Sequence, residues 1–456
     1  MIGYIRHHWS QSTAFRVVLI LAVTYAGLRL FVHGAYLSVL LAPNSATSEG
    51  LPGWAETEGP MLPVDLQVYL DAAERFEKRE DLYVRGRVTR LEDLYQYTPA
   101  FAMVSRVFLR LSPAALAAIH TLLHLVAYVL LYVLWDRVFK QSALPAARRT
   151  LAYAIPLWLM FPDFWSDLGY LNIYVFMALL STLLIESILA ERVFWSALWL
   201  SLILQTKPQW AAVAALPALL GRWRFTIKSA GLALGLYTAS AALTVLASNP
   251  TYAVKQWVGY ARFLTQLSGH FPWRLPGDGF LGYNHSVKQI VFFLLGVAPG
   301  AARFATVAKG LLLAPLGAIG VRHLIEPVQR EGHEVPELSL NLAFALYLAA
   351  FIWLDMVWEL TLGIALFVYL VASADGIRRR RLLWAAFLPY ALVDVFRLTG
   401  AALAFVGLNT VLPGPYVLTD PSVHVPMVMI LILVFYALLV RRLWLEQRTP
   451  RLMKGV

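Results

Sequence analysis

The chain has no cysteine, and only 14% of its residues are charged, 27 acidic against 38 basic. The first absence excludes disulfides, thiolate zinc sites and iron–sulfur clusters, and leaves the redox compartment unread. The second excludes an ordinary soluble globule, in which about a quarter of the residues are charged. Also missing are a repeat of fixed period, a low-complexity linker and an H-E-x-x-H signature, so nothing divides the chain into modules or marks a metalloprotease helix.

What fills the chain instead is apolar. Hydrophobic residues make up 59% of it and the mean hydropathy is +0.63. Lipid is the expected main solvent, since the 456 residues hold many stretches of the roughly 20 apolar residues that a hydrocarbon core requires. The expectation is one all-α polytopic domain over 1–456, with spans near 17–41, 114–136, 149–163, 171–190, 192–206, 208–220, 226–247, 301–321, 338–354, 359–374, 382–407 and 424–440. Arg6, His7, His8 and Arg16 precede an apolar run too long for a cleaved signal, which reads as a retained first span.

The net charge of +11 would suggest nucleic acid in a soluble protein. Here the basic residues cluster in turns: Arg137, Lys140, Arg148 and Arg149; Arg222, Arg224 and Lys228; Arg378 to Arg381; and Arg441, Arg442, Arg448 and Arg451. The positive-inside rule assigns all four clusters to the cytoplasm, together with both termini, and nucleic acid is discounted as a partner. Two longer polar segments, 42–113 and 248–300, then fall on the exoplasmic side with the turns Phe161 to Gly169, Thr206 to Trp210 and Asp355 to Glu359. Thr98 to Leu111, carrying Arg106 and Arg110, would break this parity if it crossed, and is expected to be a half-helix or interfacial dip.

Candidate chemistry begins after Pro63. Leu66, Tyr69, Leu70, Ala73 and Phe76 recur at helical spacing with Gln67, Asp71, Glu74, Arg75 and Lys78 opposite, which predicts an interfacial amphipathic helix. Asp65 opens it on the apolar, membrane-directed side, where partial desolvation would raise its basicity. The alternative is that Asp65 only caps the helix. Further on come Asp81-Leu82-Tyr83, Tyr95-Gln96-Tyr97-Thr98-Pro99, Gly169-Tyr170-Leu171-Asn172, Lys207-Pro208-Gln209 and Asn284-His285-Ser286.

In order and spacing over roughly residues 55 to 300 this set resembles the polyprenyl-phosphate-dependent mannosyltransferases of glycosyltransferase family 87, within the GT-C superfamily. Thr98, Tyr170 and His285 depart from the residues usual in that family, and Glu359 stands where a late histidine is expected. The resemblance implies an enzyme of the bacterial plasma membrane with an exoplasmic active site. It would move a hexose, mannose first, with inversion from a polyprenyl-phosphate donor to a hydroxyl of a glycolipid or envelope glycan. Asp65 is then the general base, and no metal or other cofactor is required. Lys207, Asn284, His285 and Ser286 are the expected donor-phosphate ligands; Tyr69, Tyr97, Gln209, Arg262, Arg274 and Glu359 are expected to contact substrate.

Each reading has a plainer rival. For Lys207 the rival is a lysine that merely snorkels to the interface at a helix end; for Asn284 or Ser286 it is a helix cap, and for Tyr97 an interfacial anchor. Arg262, His270, Trp273, Arg274 and Asp278 also suit a solvated loop face. His120 and His124 have the i, i+4 spacing of metal ligands without the accompanying glutamate, and Asp163 and Asp167 suit turns or helix caps. Asp394 and Arg397 are expected to neutralise one another, whereas Glu186, Arg106 and Lys309 are charges with no partner evident from spacing. A transporter or flippase of lipid-linked sugars, a pentose donor and a protein acceptor are the competing functions.

Overall fold

In a computed structural model the described residues are 2–42, 62–83, 95–270, 273, 284–325, 336–357, 363–405 and 421–446, and all regular structure among them is helical. The chain opens with α1 (Ile2–Gln11) and α2 (Thr13–Leu40), separated by Ser12, whose Oγ accepts from the Phe15 N–H at 3.1 Å and caps α2. Then come α3 (Val64–Lys78), α4 (Pro99–Ser105) and a 3₁₀ turn, Arg106–Arg110. Ser112 caps α5 (Pro113–Gln141), with Pro113 at its first position, where a missing N–H costs nothing. Prolines likewise open α6 (Pro145–Tyr153) and α8 (Pro162–Tyr170), which flank α7 (Ile155–Met160).

The chain reverses at Leu171, whose positive φ of 49° ends α8, and re-enters as α9 (Tyr174–Leu189) at 118° to the preceding segment. α10 (Val193–Thr206) is followed by a 3₁₀ helix, Pro208–Ala215, and α11 (Leu216–Leu219). The remaining helices are α12 (Trp223–Ala247), α13 (Pro250–His270), α14 (Val287–Leu295), α15 (Pro299–Ile325), α16 (Pro336–Trp353), α17 (Gly363–Ala372), α18 (Gly376–Ala391), α19 (Val393–Phe405) and α20 (Pro421–Glu446).

Among the described residues seven stretches are long and apolar enough to cross a bilayer: α2, α5, α12, α15, α16, Gly376–Gly400 and Val425–Glu446. They coincide with seven of the expected spans. The other five expected spans fall on the shorter pieces α6 to α8, α9, α10, Pro208–Ala215 with α11, and α17. Burial explains the difference in length. α17 is buried from Gly363 to Val371 and α9 along most of its length, so protein satisfies their flanks. α2 and α12 instead expose apolar side chains such as Phe31 and Leu246, as a lipid-facing surface must.

Ion pairs gather the arginine-rich turns at one end of the bundle. Arg148 on α6 grips Asp136 on α5 with Nε at 2.7 Å, Arg137 on α5 and Arg192 before α10 both meet Glu186 on α9, and Arg222 before α12 meets Glu191. Arg442 on α20 donates to Ser373 after α17, and Asn341 near the start of α16 donates to Glu446. Glu186 therefore has partners that local spacing did not reveal.

Asp394 corrects another expectation. Its carboxylate meets Arg29 of α2 at 2.7 Å and the Tyr25 hydroxyl, while Arg397 is exposed. Spacing allowed an i, i+3 pair, but a buried carboxylate takes the cation that packing supplies. Arg106 hydrogen-bonds the Met103 carbonyl and lies 5.1 Å from the Phe76 ring centre. α4 and Arg106–Arg110 are seven and five residues long, too short to span, as the half-helix reading required. The apolar side of α3 buries Leu66, Val68, Tyr69, Ala72, Ala73 and Phe76 and packs on α4 and Arg106–Arg110. Protein covers that side where lipid was expected, because the two short helices fold back over it.

Candidate functional site

Asp65 is not the cap of α3. Pro63 holds that position, and Asp65 stands within the first turn, half-buried, with its Oδ2 shielded from water. One turn on, the buried Tyr69 donates to Asn172 Oδ1 at 2.9 Å and its hydroxyl lies 3.1 Å from that of Tyr97. Burial raises both phenols well above their usual range, with the nearby Asp65 charge adding to it, so both stay protonated.

Tyr97 is held from several sides. Its ring stacks on Phe101 at 4.6 Å, its carbonyl accepts from the Tyr83 hydroxyl at 2.6 Å, and the Tyr95 hydroxyl secures the Thr98 carbonyl at 2.7 Å. Thr98 Oγ1 donates toward the Gln205 backbone and side-chain oxygens, at 2.8 and 2.9 Å, which ties the turn before α4 to the end of α10. Thr98 thus has a structural task.

α10 ends at Thr206 because Pro208 has no N–H to continue it. Lys207 between them is extended and only 7% exposed, so it does not snorkel to solvent. Its ammonium lies 4.0 Å from the ring centre of Tyr174 and 5.4 Å from that of Tyr97. Lys207, Gln209, Gln96, Tyr174 and Asp355 line a cavity of about 210 Å³.

Asn284-His285-Ser286 is fully buried and pairs with the segment after α16, whose Asp355 lines the cavity. Asn284 Oδ1 accepts from the Val357 N–H at 3.2 Å, its amide donates to the Asp355 carbonyl at 3.3 Å, and the His285 N–H reaches the Val357 carbonyl at 2.7 Å. Ser286 caps α14 by accepting from the Gln289 N–H at 3.1 Å, so the capping reading of this motif is correct. Asp355 joins two lysines: Lys288 at 2.7 Å and the buried Lys309 at 2.7 Å, the latter also donating to the Trp353 and Leu354 carbonyls. Lys207 shares the cavity lining with Asp355, and the Asp355 charge is offset by Lys288 and Lys309, which leaves the Lys207 side of the region favourable to anions.

Spacing alone missed Tyr174, Asp355 and Lys288. A usable signal existed for one of them: Lys309 lies in an apolar span and Asp355 ends another, and opposite charges in such surroundings imply one another. Asp167 caps α9, its two oxygens accepting from the Tyr174 and Val175 N–H groups at 3.0 and 2.9 Å, and it faces His124 at 3.3 Å. His124 and His120 contact one another through Nδ1 at 3.0 Å. Asp163 accepts from the Tyr390 hydroxyl. Arg262 lies on an exposed part of α13 and Trp273 packs on Phe292 beneath Lys288. Arg274, Asp278 and Glu359 lie outside the described residues. Among the described residues no three His, Asp or Glu side chains converge as metal ligands. No protein-family model and no curated protein sequence matches this chain.

Proposed function

We propose that the protein is an inverting glycosyltransferase of the GT-C type, similar to family 87, that moves a hexose such as mannose from a polyprenyl phosphate to a hydroxyl of a glycolipid or envelope glycan. One observation carries the reading. Lys207 and Gln209 line one cavity with Tyr174 and Asp355, the Lys207 ammonium lies 5.4 Å from the Tyr97 ring centre, Tyr97 meets Tyr69 one helical turn after Asp65, and Asn284 bonds the Asp355 carbonyl, so residues from distant parts of the chain form one connected set. In this mechanism the Asp65 carboxylate accepts the proton of the acceptor hydroxyl as its oxygen bonds to the anomeric carbon. The bond from that carbon to the donor phosphate breaks on the opposite face, and polyprenyl phosphate leaves with the electron pair. Lys207 offsets the charge developing on the phosphate, while Gln209 lines the space for the sugar and Tyr97 supports the Lys207 ammonium.

The chain path supports twelve crossings. α5 and α9 both bring an end to the arginine-rich side, where Arg137 meets Glu186, while Tyr174 at the other end of α9 lies beneath Lys207. α9 thus bridges both ends, about 24 Å over its 16 residues. By the same argument α10 rises from Arg192 to Lys207, Pro208–Ala215 and α11 return to Arg222, and α17 returns to Ser373. The positive-inside rule then makes the arginine-rich end cytoplasmic and the Lys207 end exoplasmic. α3 lies along that second surface.

The deciding experiment incubates purified protein with polyprenyl-phosphate hexoses and pentoses and total envelope lipids, and identifies products by mass spectrometry. A new glycoside of inverted anomeric configuration is expected with one hexose donor. Asp65→Asn should bind that donor but transfer at least about a hundredfold more slowly, at the low end of what loss of a general base costs. Undiminished transfer by this variant would remove Asp65 from the mechanism.

A further inference from the structure

At the arginine-rich end, distant from Lys207, a second cavity of about 380 Å³ opens between α1, α6, α17 and α18. Arg149, Arg380 and His8 line it, and no carboxylate does. Its cations differ from their neighbours. Arg148 is held in a two-pronged contact by Asp136, at 2.7 and 3.2 Å, and Arg379 meets Asp375 at 3.1 Å. Arg149 makes no ion pair among the described residues, and Arg380 only a 3.3 Å bond from Nε to the Ala374 carbonyl. His8 adds a buried Nε2 with no hydrogen-bond partner. Two planar guanidinium groups bordering one space without a carboxylate in its lining suit the oxygens of a phosphate.

The rest of the lining selects among phosphates. Val371 and Ala372 form an apolar wall, and Trp384 and Tyr153 stand at its rim, Trp384 fixed edge-on against Phe367 at 4.9 Å. Aromatic side chains of this kind mark the level of the lipid headgroups. α1 beside them exposes Ile2 and Trp9, which a surface in contact with lipid accommodates. A free phosphate ion would use the arginines and leave this wall idle.

We propose that this cavity binds the phosphate of an anionic phospholipid, whose acyl chains leave past Tyr153 and Trp384. The site is separate from the cavity at Lys207, and its occupation does not depend on the reaction proposed there.

The test adds phosphatidylglycerol or phosphatidylcholine to delipidated full-length protein in detergent and measures retained lipid by native mass spectrometry. Phosphatidylglycerol should be retained selectively. Arg149→Gln with Arg380→Gln should weaken its retention about thirtyfold, and each single variant about fivefold, as expected for one basic residue near an anionic lipid. Arg378→Gln with Arg381→Gln removes the same charge from neighbouring positions outside the cavity and should leave retention unchanged. Equal retention of both lipids, or equal losses in the two double variants, overturns the proposal. So does displacement of phosphatidylglycerol by an excess of inorganic phosphate, which would identify a free-ion site. The single variants keep the test decisive if the double variant does not fold.

Discussion

Lys207 and Lys309 are both buried lysines, yet they put different demands on their surroundings. Lys207 rests over the Tyr174 and Tyr97 rings beside an open cavity, and Met in its place retains the apolar stem. Lys207→Met should therefore keep a near-native melting temperature while product formation falls about 10²- to 10³-fold, the range for losing one transition-state charge contact. Retained activity would show that the ammonium does not meet the leaving phosphate. Lys309 is clamped by Asp355 and two carbonyls. Asp355→Asn leaves that ammonium without its carboxylate and should cost about 3 kcal/mol, the low end of the range for breaking a buried pair, because Asp355 is about one-third exposed. Adding Lys309→Met should recover much of the loss, read by thermal unfolding of the single and double variants. The residue types for Lys207 and its motif were legible in the sequence because a proline fixes where the helix stops. The Arg29–Asp394 contact was not, because it joins positions hundreds of residues apart, and Lys309 and Asp355 could be matched only by their apolar surroundings, since their separation exceeds any helical period.

At the scale of elements, α9 connects capping to the site. Asp167, at the end of α8, holds the first two N–H groups of α9, and Tyr174 at its first position carries the ring beneath Lys207. Its cap role was legible from residue type, since a carboxylate near a chain reversal is a ready acceptor for orphan helix donors. Which helix it caps was not, because the reversal depends on Leu171 accepting a positive φ. Asp167→Ala should destabilise by about 1–2 kcal/mol, as loss of a helix cap does. Asp167→Asn, which retains one carbonyl acceptor, should cost less. Thermal unfolding in detergent measures both, and equal melting temperatures for Asn, Ala and the parent would mean that the cap carries no weight. α3 teaches the opposite lesson. Its helical period was plain in the sequence, but what covers its apolar side was decided by α4 and Arg106–Arg110 folding back, which periodicity does not encode.

For the whole molecule, hydropathy identifies the seven long stretches because each is apolar for a full bilayer thickness, and α2 and α12 leave most of that surface exposed. Segments such as α9 and α17 are shielded by protein, so composition and length say less about whether they cross. Their ends are fixed instead by where charges meet, with Glu186 and Glu191 at the arginine-rich end and Lys207 at the other. Sidedness is directly measurable, since a chain without cysteine gives no background to thiol reagents. Single substitutions Glu77→Cys on α3 and Tyr170→Cys at the α8–α9 reversal, both exposed, should react with an impermeant maleimide from the outside of intact cells. Lys140→Cys and Arg381→Cys, also exposed, should react only after the membrane is opened. Tyr170 is the discriminating position. If the α6–α8 and α9 segments did not cross, it would share the behaviour of Lys140, and the twelve-crossing path would fall together with the common exoplasmic surface that brings Asp65 and Lys207 to one substrate.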